Sequence, residues 1–194
     1  SDGIKQTIEN HVNDGNQYHI LINNSGGPKG GPIAKANPEV FVIGFNRHLI
    51  CNHIIFQALH LGMKQFNYGR VINIISTSVK QPIPGLGVSN TIRGAVASWA
   101  KTLSFEVGED GITVNNILPG FTDTERLSSL IKSRTDASGN SEQEVANSML
   151  AQVPVGRFGK PEETAKAIAF LASPTAGYIN GVSLAVDGGR LSCI

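Results

Sequence analysis

The sequence predicts an α/β fold in which one doubly wound parallel sheet carries helices on both faces. Short apolar runs, each the length of a buried strand, alternate with longer segments whose apolar residues recur at helical spacing. Such alternation is typical of parallel sheets, because a parallel connection needs a crossover long enough to hold a helix. The predicted strands lie near residues 19–24, 70–76, 112–118 and 182–187.

The segments between these strands indicate helices of several lengths. Residues 4–13 carry one narrow apolar stripe, and residues 38–65 carry a long one that predicts a single helix. Another helix covers about residues 90–107. The last helix begins at Pro161, since proline is favoured in the first turn of a helix.

Composition limits the possible class of protein. The 194 residues are enough for one domain with a sizeable core, so we expect residues 1–194 to form a single domain. A formal net charge of +1 gives no reason to expect nucleic acid or an anionic membrane as a partner. No apolar run approaches the length of a membrane span. Cys51 and Cys193 lack the spacing of a metal site, so we interpret them as reduced thiols in a cytoplasmic protein.

The stretch from Gly69 to Val107 combines the parts of an α/β active site. A buried strand ends at Ser76, a Gly/Pro-rich crossing follows, and a helix then begins. Ligands of such folds bind beyond the carboxyl ends of the parallel strands. We therefore place the candidate active site at Ser76 and at the start of the helix that follows it.

At these residues the chain resembles the short-chain dehydrogenase/reductase family. In that family a catalytic Ser follows this strand, a Tyr lies thirteen positions later, and a Lys lies four positions beyond the Tyr. Counting from Ser76 places Ser89 at the Tyr position and Arg93 at the Lys position. The spacing is kept, but two of the three residue types are not. The surrounding residues are similar to an atypical subgroup related to β-ketoacyl-carrier-protein reductases.

The resemblance implies a Rossmann-like fold and a nicotinamide cofactor, NADP or NAD. The run from Asn23 to Gly26 resembles the family's Asn-Asn-Ala-Gly motif, which lies along the cofactor, although a plain Asn/Gly turn is the alternative. Pro119-Gly120 resembles the turn that bounds the nicotinamide pocket. The cofactor-binding residues implied by the resemblance are Asn24, Ser25, Gly26, Arg93, Pro119, Gly120, Thr122 and Thr124.

His48 falls where the family has an Asn that orders a water for proton relay. A histidine can also donate and accept hydrogen bonds near neutral pH, but a histidine on the helix surface is equally compatible with the sequence. The catalytic set implied by the resemblance is therefore Ser76, Ser89, Arg93 and His48. Ser89 is its weak member, because a serine hydroxyl is a far weaker acid than the phenol that it replaces.

Two functions of different classes remain open. The first is an NAD(P)-dependent oxidoreductase that reduces a small-molecule or acyl-carrier-linked carbonyl of the 3-oxoacyl type, with a water held by Ser89, Ser76 and His48 as the acid. The second is a non-catalytic member of the fold that binds nucleotide or serves as a subunit module. The family spacing of Ser76, Ser89 and Arg93 favours the oxidoreductase. The absence of the family's Tyr favours the non-catalytic member. The resemblance also implies a homotetramer or homodimer in which the helices at 38–65 and 90–107 pair with their copies.

The polar region 122–158 matches the family's mobile lid over the substrate, although an ordinary helical insertion would have the same composition. Two capping boxes, Thr122 to Glu125 and Ser141 to Glu144, predict where its helices begin. The family's Gly-rich phosphate loop has no counterpart in this sequence. We therefore expect the first two βα units to be absent and residues 1–194 alone to bind a dinucleotide weakly.

Overall fold

The computed structural model describes residues 2–193, which form helices around one four-stranded parallel sheet. The strands lie side by side in the order in which they occur along the chain. They are β1 (Ile20–Asn23), β2 (Gly69–Ile74), β3 (Ile112–Pro119) and β4 (Ser183–Val186). The predicted Rossmann-like parallel sheet is confirmed, and the differences from the predicted strands fall at their ends.

Helices fill the connections between the strands. They are α1 (Asp2–Asn13), α2 (Pro38–Phe45), α3 (Cys51–Gln65), α4 (Gly87–Glu106), α5 (Glu125–Ser138), α6 (Glu142–Leu150) and α7 (Pro161–Ala172). No helix in residues 2–193 combines the length and the apolar character needed to cross a membrane.

The core has two layers, one on each face of the sheet. On β2, Val71 packs with Phe56 of α3 and Leu103 of α4. Its neighbour Ile72 packs with Leu171 of α7. Successive residues of a strand point to opposite faces, so α3 and α4 cover one face and α7 covers the other. The predicted arrangement of helices on both faces is therefore confirmed.

The predicted helix over residues 38–65 is continuous, but a π-helical turn at Asn46–Ile50 separates α2 from α3. The backbone amide of Cys51 bonds to the carbonyl of Asn46, five residues back. Such wider turns are rare in helices and often occur at functional sites. His48 lies in this turn and is only 2% exposed, so the interpretation as a surface histidine is wrong.

The two predicted capping boxes have different outcomes. The one at Ser141 is confirmed: its hydroxyl accepts a bond from the Glu144 amide at 3.3 Å, and the Glu144 carboxylate accepts one from the Ser141 amide at 2.9 Å. The one at Thr122 is wrong, because α5 begins only at Glu125 and Thr124 occupies the N-cap position. Thr124 donates its hydroxyl to the Thr122 carbonyl at 3.2 Å instead of capping the helix.

A row of side-chain amides crosses the sheet. Asn23 Nδ2 donates to Asn73 Oδ1 at 2.8 Å, and Asn73 Nδ2 donates to Asn116 Oδ1 at 3.0 Å. Asn116 Nδ2 then donates to Ser183 Oγ at 3.1 Å. These four residues are register partners across the parallel strands. A slip of one residue would turn each amide to the other face of the sheet, so the row specifies the register.

We expect Asn73→Ala to lower the free energy of unfolding by on the order of 3 kcal/mol, because the buried groups of Asn23 and Asn116 lose their partners. Urea denaturation followed by circular dichroism measures this change. The control Asn147→Ala removes an exposed amide on α6 and should change the stability by less than about 0.5 kcal/mol. An Asn73→Ala chain as stable as the control would show that the row does not hold the sheet.

Candidate active site

A cavity of about 640 Å³ opens beyond the carboxyl ends of β1, β2 and β3. This volume is in the range of small-molecule sites, about 300–1,000 Å³. Every predicted cofactor-binding or catalytic residue lines the cavity except His48. The lining residues that the sequence predicted are Asn24, Ser25, Gly26, Ser76, Ser89, Arg93, Pro119, Gly120, Thr122 and Thr124.

Ser76 follows β2 and caps the short 3₁₀ turn that comes next. Its backbone is extended, and its Oγ accepts a hydrogen bond from the Ser78 amide at 3.1 Å. This bond uses an oxygen lone pair and leaves the hydroxyl proton available. Ser76 can therefore donate a hydrogen bond to an oxygen atom of a bound molecule.

Ser89 and Arg93 lie one turn apart on α4 and share a face of that helix. Arg93 donates from Nη1 to the Ile74 carbonyl at 2.6 Å and from Nη2 to the Ser25 carbonyl at 3.3 Å. The planar guanidinium can hold both strand ends at once, which the point charge of a lysine does less well. Burial, followed by the nearby Arg126, lowers the pKa of Arg93 to about 10, so Arg93 stays charged at neutral pH.

Ser25 connects His48 to the cavity. The Ser25 hydroxyl lies 2.7 Å from His48 Nδ1, and Ser25 itself lines the cavity. Burial, followed by the charge of Arg93, lowers the pKa of His48 to about 4, against the opposing effect of a backbone hydrogen bond with Gly26. His48 is therefore neutral at pH 7. In the tautomer that carries its proton on Nε2, Nδ1 accepts the proton of Ser25.

The end of β3 lies very close to the end of β4. A Cβ atom on Gly120 would lie 2.6 Å from the Cα of Asp187, so only glycine allows this approach. The Gly120 amide donates to the Val186 carbonyl at 3.0 Å. The Pro119–Gly120 turn thus forms one wall of the cavity.

Two arginines that the sequence did not predict also line the cavity. Arg126 of α5 donates from Nη2 to the Pro28 carbonyl at 3.2 Å and so joins α5 to the loop after β1. Arg190 follows β4 and donates from Nη1 to Thr77 Oγ1 at 3.1 Å. Its guanidinium carbon lies 4.3 Å from the centre of the Phe121 ring. Neither arginine belongs to a recognisable motif, so no local signal could have identified them.

The cavity is cationic. Arg93, Arg126 and Arg190 line it, and no acidic side chain is present among its described lining residues. A cleft lined by charges of one sign attracts ligands of the opposite sign. The site therefore suits anionic molecules.

The fold and the site together define a Rossmann-like α/β protein with a cavity beyond the carboxyl ends of its parallel strands. Residues 1–190 match the model of the family described as Enoyl-(Acyl carrier protein) reductase. The chain belongs to this family of short-chain dehydrogenases/reductases, which confirms the resemblance found in the sequence.

Several known proteins are similar to most of this chain. The NADPH-dependent reductase BacG of Bacillus subtilis is 30% identical over 192 residues, which cover 99% of this chain and 73% of BacG. The 3-oxoacyl-[acyl-carrier-protein] reductase FabG of Vibrio cholerae is 35% identical over 170 residues, which cover 88% of this chain and 65% of FabG. The chain thus spans about two thirds to three quarters of the length of these relatives.

A solved structure gives the same fold. L-sorbose reductase of Gluconobacter frateurii, complexed with NADPH and L-sorbose, superposes with a TM-score of 0.90 at 29% identity. The match covers all of this chain and 74% of the sorbose reductase chain.

The lowered pKa of His48 predicts a specific loss of stability in mild acid. The unfolded chain binds a proton on His48 below about pH 6.5, whereas the folded chain does so only near pH 4. Stability therefore falls as the pH drops through this window, by on the order of 2 kcal/mol between pH 7 and pH 5.

Urea denaturation of the parent chain and of His48→Asn at both pH values isolates this effect, since all other groups titrate alike in the two chains. We expect the parent to lose more stability than the variant between pH 7 and pH 5. Equal losses would contradict the assignment of a neutral, buried His48.

Proposed function

We propose that this chain belongs to an NAD(P)H-dependent carbonyl reductase and carries its substrate-reducing site. The observation that supports this function most strongly is that Ser76, Ser89 and Arg93 share one cavity with the Asn24–Gly26 and Pro119–Gly120 segments. The names of the relatives agree with it, since they include an NADPH-dependent reductase and 3-oxoacyl-[acyl-carrier-protein] reductases.

The residues present fit a nicotinamide cofactor beside the loop after β1. A Cβ atom on Gly27 would lie 3.5 Å from Arg93 Nη2 and 4.0 Å from Arg126 Nη2, so the loop at Gly27 lies directly beside two positive charges. An anionic part of the cofactor suits a place next to these charges. The residues proposed to hold the cofactor are Asn24, Ser25, Gly26, Arg93, Pro119, Gly120, Thr122 and Thr124. The bound cofactor would supply the hydride.

The remaining residues have to orient the substrate and deliver a proton. Ser76 has a free hydroxyl proton for the substrate oxygen. Ser89 is not proposed as the acid itself, because its hydroxyl has no pKa near the working pH and a serine alkoxide, unlike hydroxide, cannot leave the site. We place the proton on a water held by Ser76 and Ser89, which leaves as hydroxide and is replaced from solvent, with Ser25 and His48 as the polar chain behind it. His48 acts there as a neutral acceptor and donor, because its pKa is too low for an imidazolium at pH 7.

We also propose that residues 122–158 form the lid over the substrate. Helices α5 and α6 build a small apolar cluster of their own around Leu127, Val145 and Met149. Arg126 is the contact that joins this unit to the opposite rim of the cavity. A unit with its own core can move as one body, which suits a lid.

The working form is proposed to be a cytoplasmic homodimer or homotetramer that acts on a small-molecule or acyl-carrier-linked carbonyl compound. The helices α2, α3 and α4 leave large apolar side chains exposed, and among them Val42, Leu61 and Phe105 are more than half exposed. Pairing of these helices with their copies would remove this apolar surface from water.

A non-catalytic role remains the second candidate, and one observation favours it. None of the chain's tyrosines, Tyr18, Tyr68 and Tyr178, lines the cavity. No phenol is therefore available to replace the missing acid. Turnover of an activated ketone by the full-length protein with saturating NADPH separates the two candidates, because a non-catalytic member would bind the cofactor without consuming it.

We expect Ser89→Ala to reduce turnover of that ketone by about tenfold or less, because it removes only a hydroxyl that holds a water. Ser76→Ala should cost more, on the order of a hundredfold, since it removes a hydrogen bond to the reacting oxygen. Ser98→Ala, an exposed serine on the same helix, is the control. A thousandfold loss in Ser89→Ala would show that Ser89 carries the proton itself.

The paired change Ser89→Tyr and Arg93→Lys should raise turnover of the same ketone. It restores a positioned acid, and such an acid contributes typically about 10²–10⁴-fold. Cofactor titration of the variant checks that binding is intact. Unchanged turnover with intact binding would mean that the proton does not limit the reaction at this site.

A further inference from the structure

We infer that the substrate of this cavity carries a carboxylate and that Arg190 binds it. The inference rests on the proposed reductase function and names the chemical class of its substrate as a small oxo acid. It depends on the surroundings of Arg190, on the charges that face it, and on its place relative to Ser76.

The protein contacts only part of the guanidinium group of Arg190. Nη1 donates to Thr77 Oγ1 at 3.1 Å, and the group lies against the ring of Phe121. Nε is buried and has no hydrogen-bond partner in the part of the chain that the structure describes. A buried donor without a partner costs free energy. Nη2 makes no hydrogen bond within residues 2–193 and is not among the buried atoms, so the Nη1–Nη2 end of the group can donate to the two oxygens of a bound carboxylate.

The charge of Arg190 is not matched by a salt bridge within residues 2–193. The nearest acidic influence is Asp187, whose two carboxylate oxygens accept the amides of Gly189 at 3.0 Å and Leu191 at 2.8 Å. Burial, followed by the charge of Arg134, lowers the pKa of Arg190, and Asp187 only partly opposes this. A carboxylate group on a bound molecule would neutralise the positive charge of Arg190.

The position of Arg190 separates it from the cofactor region. Arg93 and Arg126 both approach Gly27 in the loop after β1, where the cofactor is proposed to bind. Arg190 instead bonds to Thr77, the residue next to Ser76. A carboxylate on Arg190 would therefore leave the rest of the molecule beside the hydroxyl that is proposed to bind the reacting oxygen.

The neighbouring walls set the character of the rest of the substrate. The cavity lining includes the apolar side chains of Ile83, Leu86, Phe121, Leu127 and Leu130. A short hydrocarbon body between a carboxylate and a ketone fits such walls. In the proposed reaction the ketone gains a hydride from the bound nicotinamide and one proton to become a hydroxyl, and the carboxylate on Arg190 is unchanged.

Isothermal titration calorimetry tests the binding without any requirement for turnover. The probes are 4-oxopentanoate, 5-oxohexanoate and 6-oxoheptanoate, each compared with its methyl ester. We expect at least one acid to bind the parent at least tenfold more tightly than its ester. Arg190→Met should abolish that preference and change ester binding by less than about twofold. Lys132→Met removes an exposed cation of α5 that does not line the cavity, and it should preserve the preference.

Arg190 also ties the segment after β4 to Thr77, so a structural role must be distinguished from a binding role. Melting temperatures of Arg190→Met and Arg190→Lys report the structural contribution. Arg190→Lys keeps the charge without the planar fork and should retain part of the preference for the acid. If both variants melt like the parent and Arg190→Met still prefers the acid, the inference is wrong.

Kinetics of the full-length protein with NADPH separate this inference from the proposed function. Arg190→Met should raise KM for the preferred acid at least tenfold, with kcat within about threefold, and should leave the ester unaffected. Reduction of neutral ketones without any preference for acids would overturn the carboxylate site and leave the reductase function intact. An Arg190-dependent preference in binding, with no reduction of any probe, would support the carboxylate site and overturn the reductase function.

Discussion

The row of hydrogen-bonded side chains across the sheet is the constraint on which the rest of the structure depends. Asn23, Asn73 and Asn116 are buried register partners, and each lies at the carboxyl end of its strand or within three residues of it. The residues that follow these strands, such as Ser25 and Ser76, therefore lie at the same end of the sheet, beyond the carboxyl ends of the strands. A slip in any strand would separate the groups that now line one cavity.

The substitutions in the proposed catalytic set are physically coupled. Arg93 holds the carbonyls of Ile74 and Ser25, so it fixes the geometry of the two strand ends as well as the charge of the site. Burial first, and then that permanent charge, lowers the pKa of His48 and disfavours an imidazolium there. The histidine is therefore confined to the neutral form, in which it can pair with the hydroxyl of Ser25. A change at Arg93 would alter the ionisation of His48 as well.

The sequence predicted the parts of this structure that depend on local pattern. Buried strands need continuous apolar runs, so β2 and β3 were evident, and residues that directly follow strand ends, such as Ser76, could be placed in the site by topology. The π-helical turn could not be predicted, because the residues buried around it are Gly44, His48 and Asn52, which give no apolar periodicity. The burial of His48 against Ser25, in the same turn, was therefore also missed. Arg126 was missed because its contact joins segments far apart in sequence.

The distribution of charge links the stability of the chain to occupation of the cavity. Arg93 lies near Arg126, and Arg190 lies near Arg134, so each pair places like charges close together in a partly buried region. Only Asp187 opposes these charges among the neighbours that affect them. Proteins keep such unfavourable arrangements at functional sites, where a ligand completes them. An anionic ligand that binds only the folded chain stabilises it by mass action, and these arginines are the groups through which such a ligand would act.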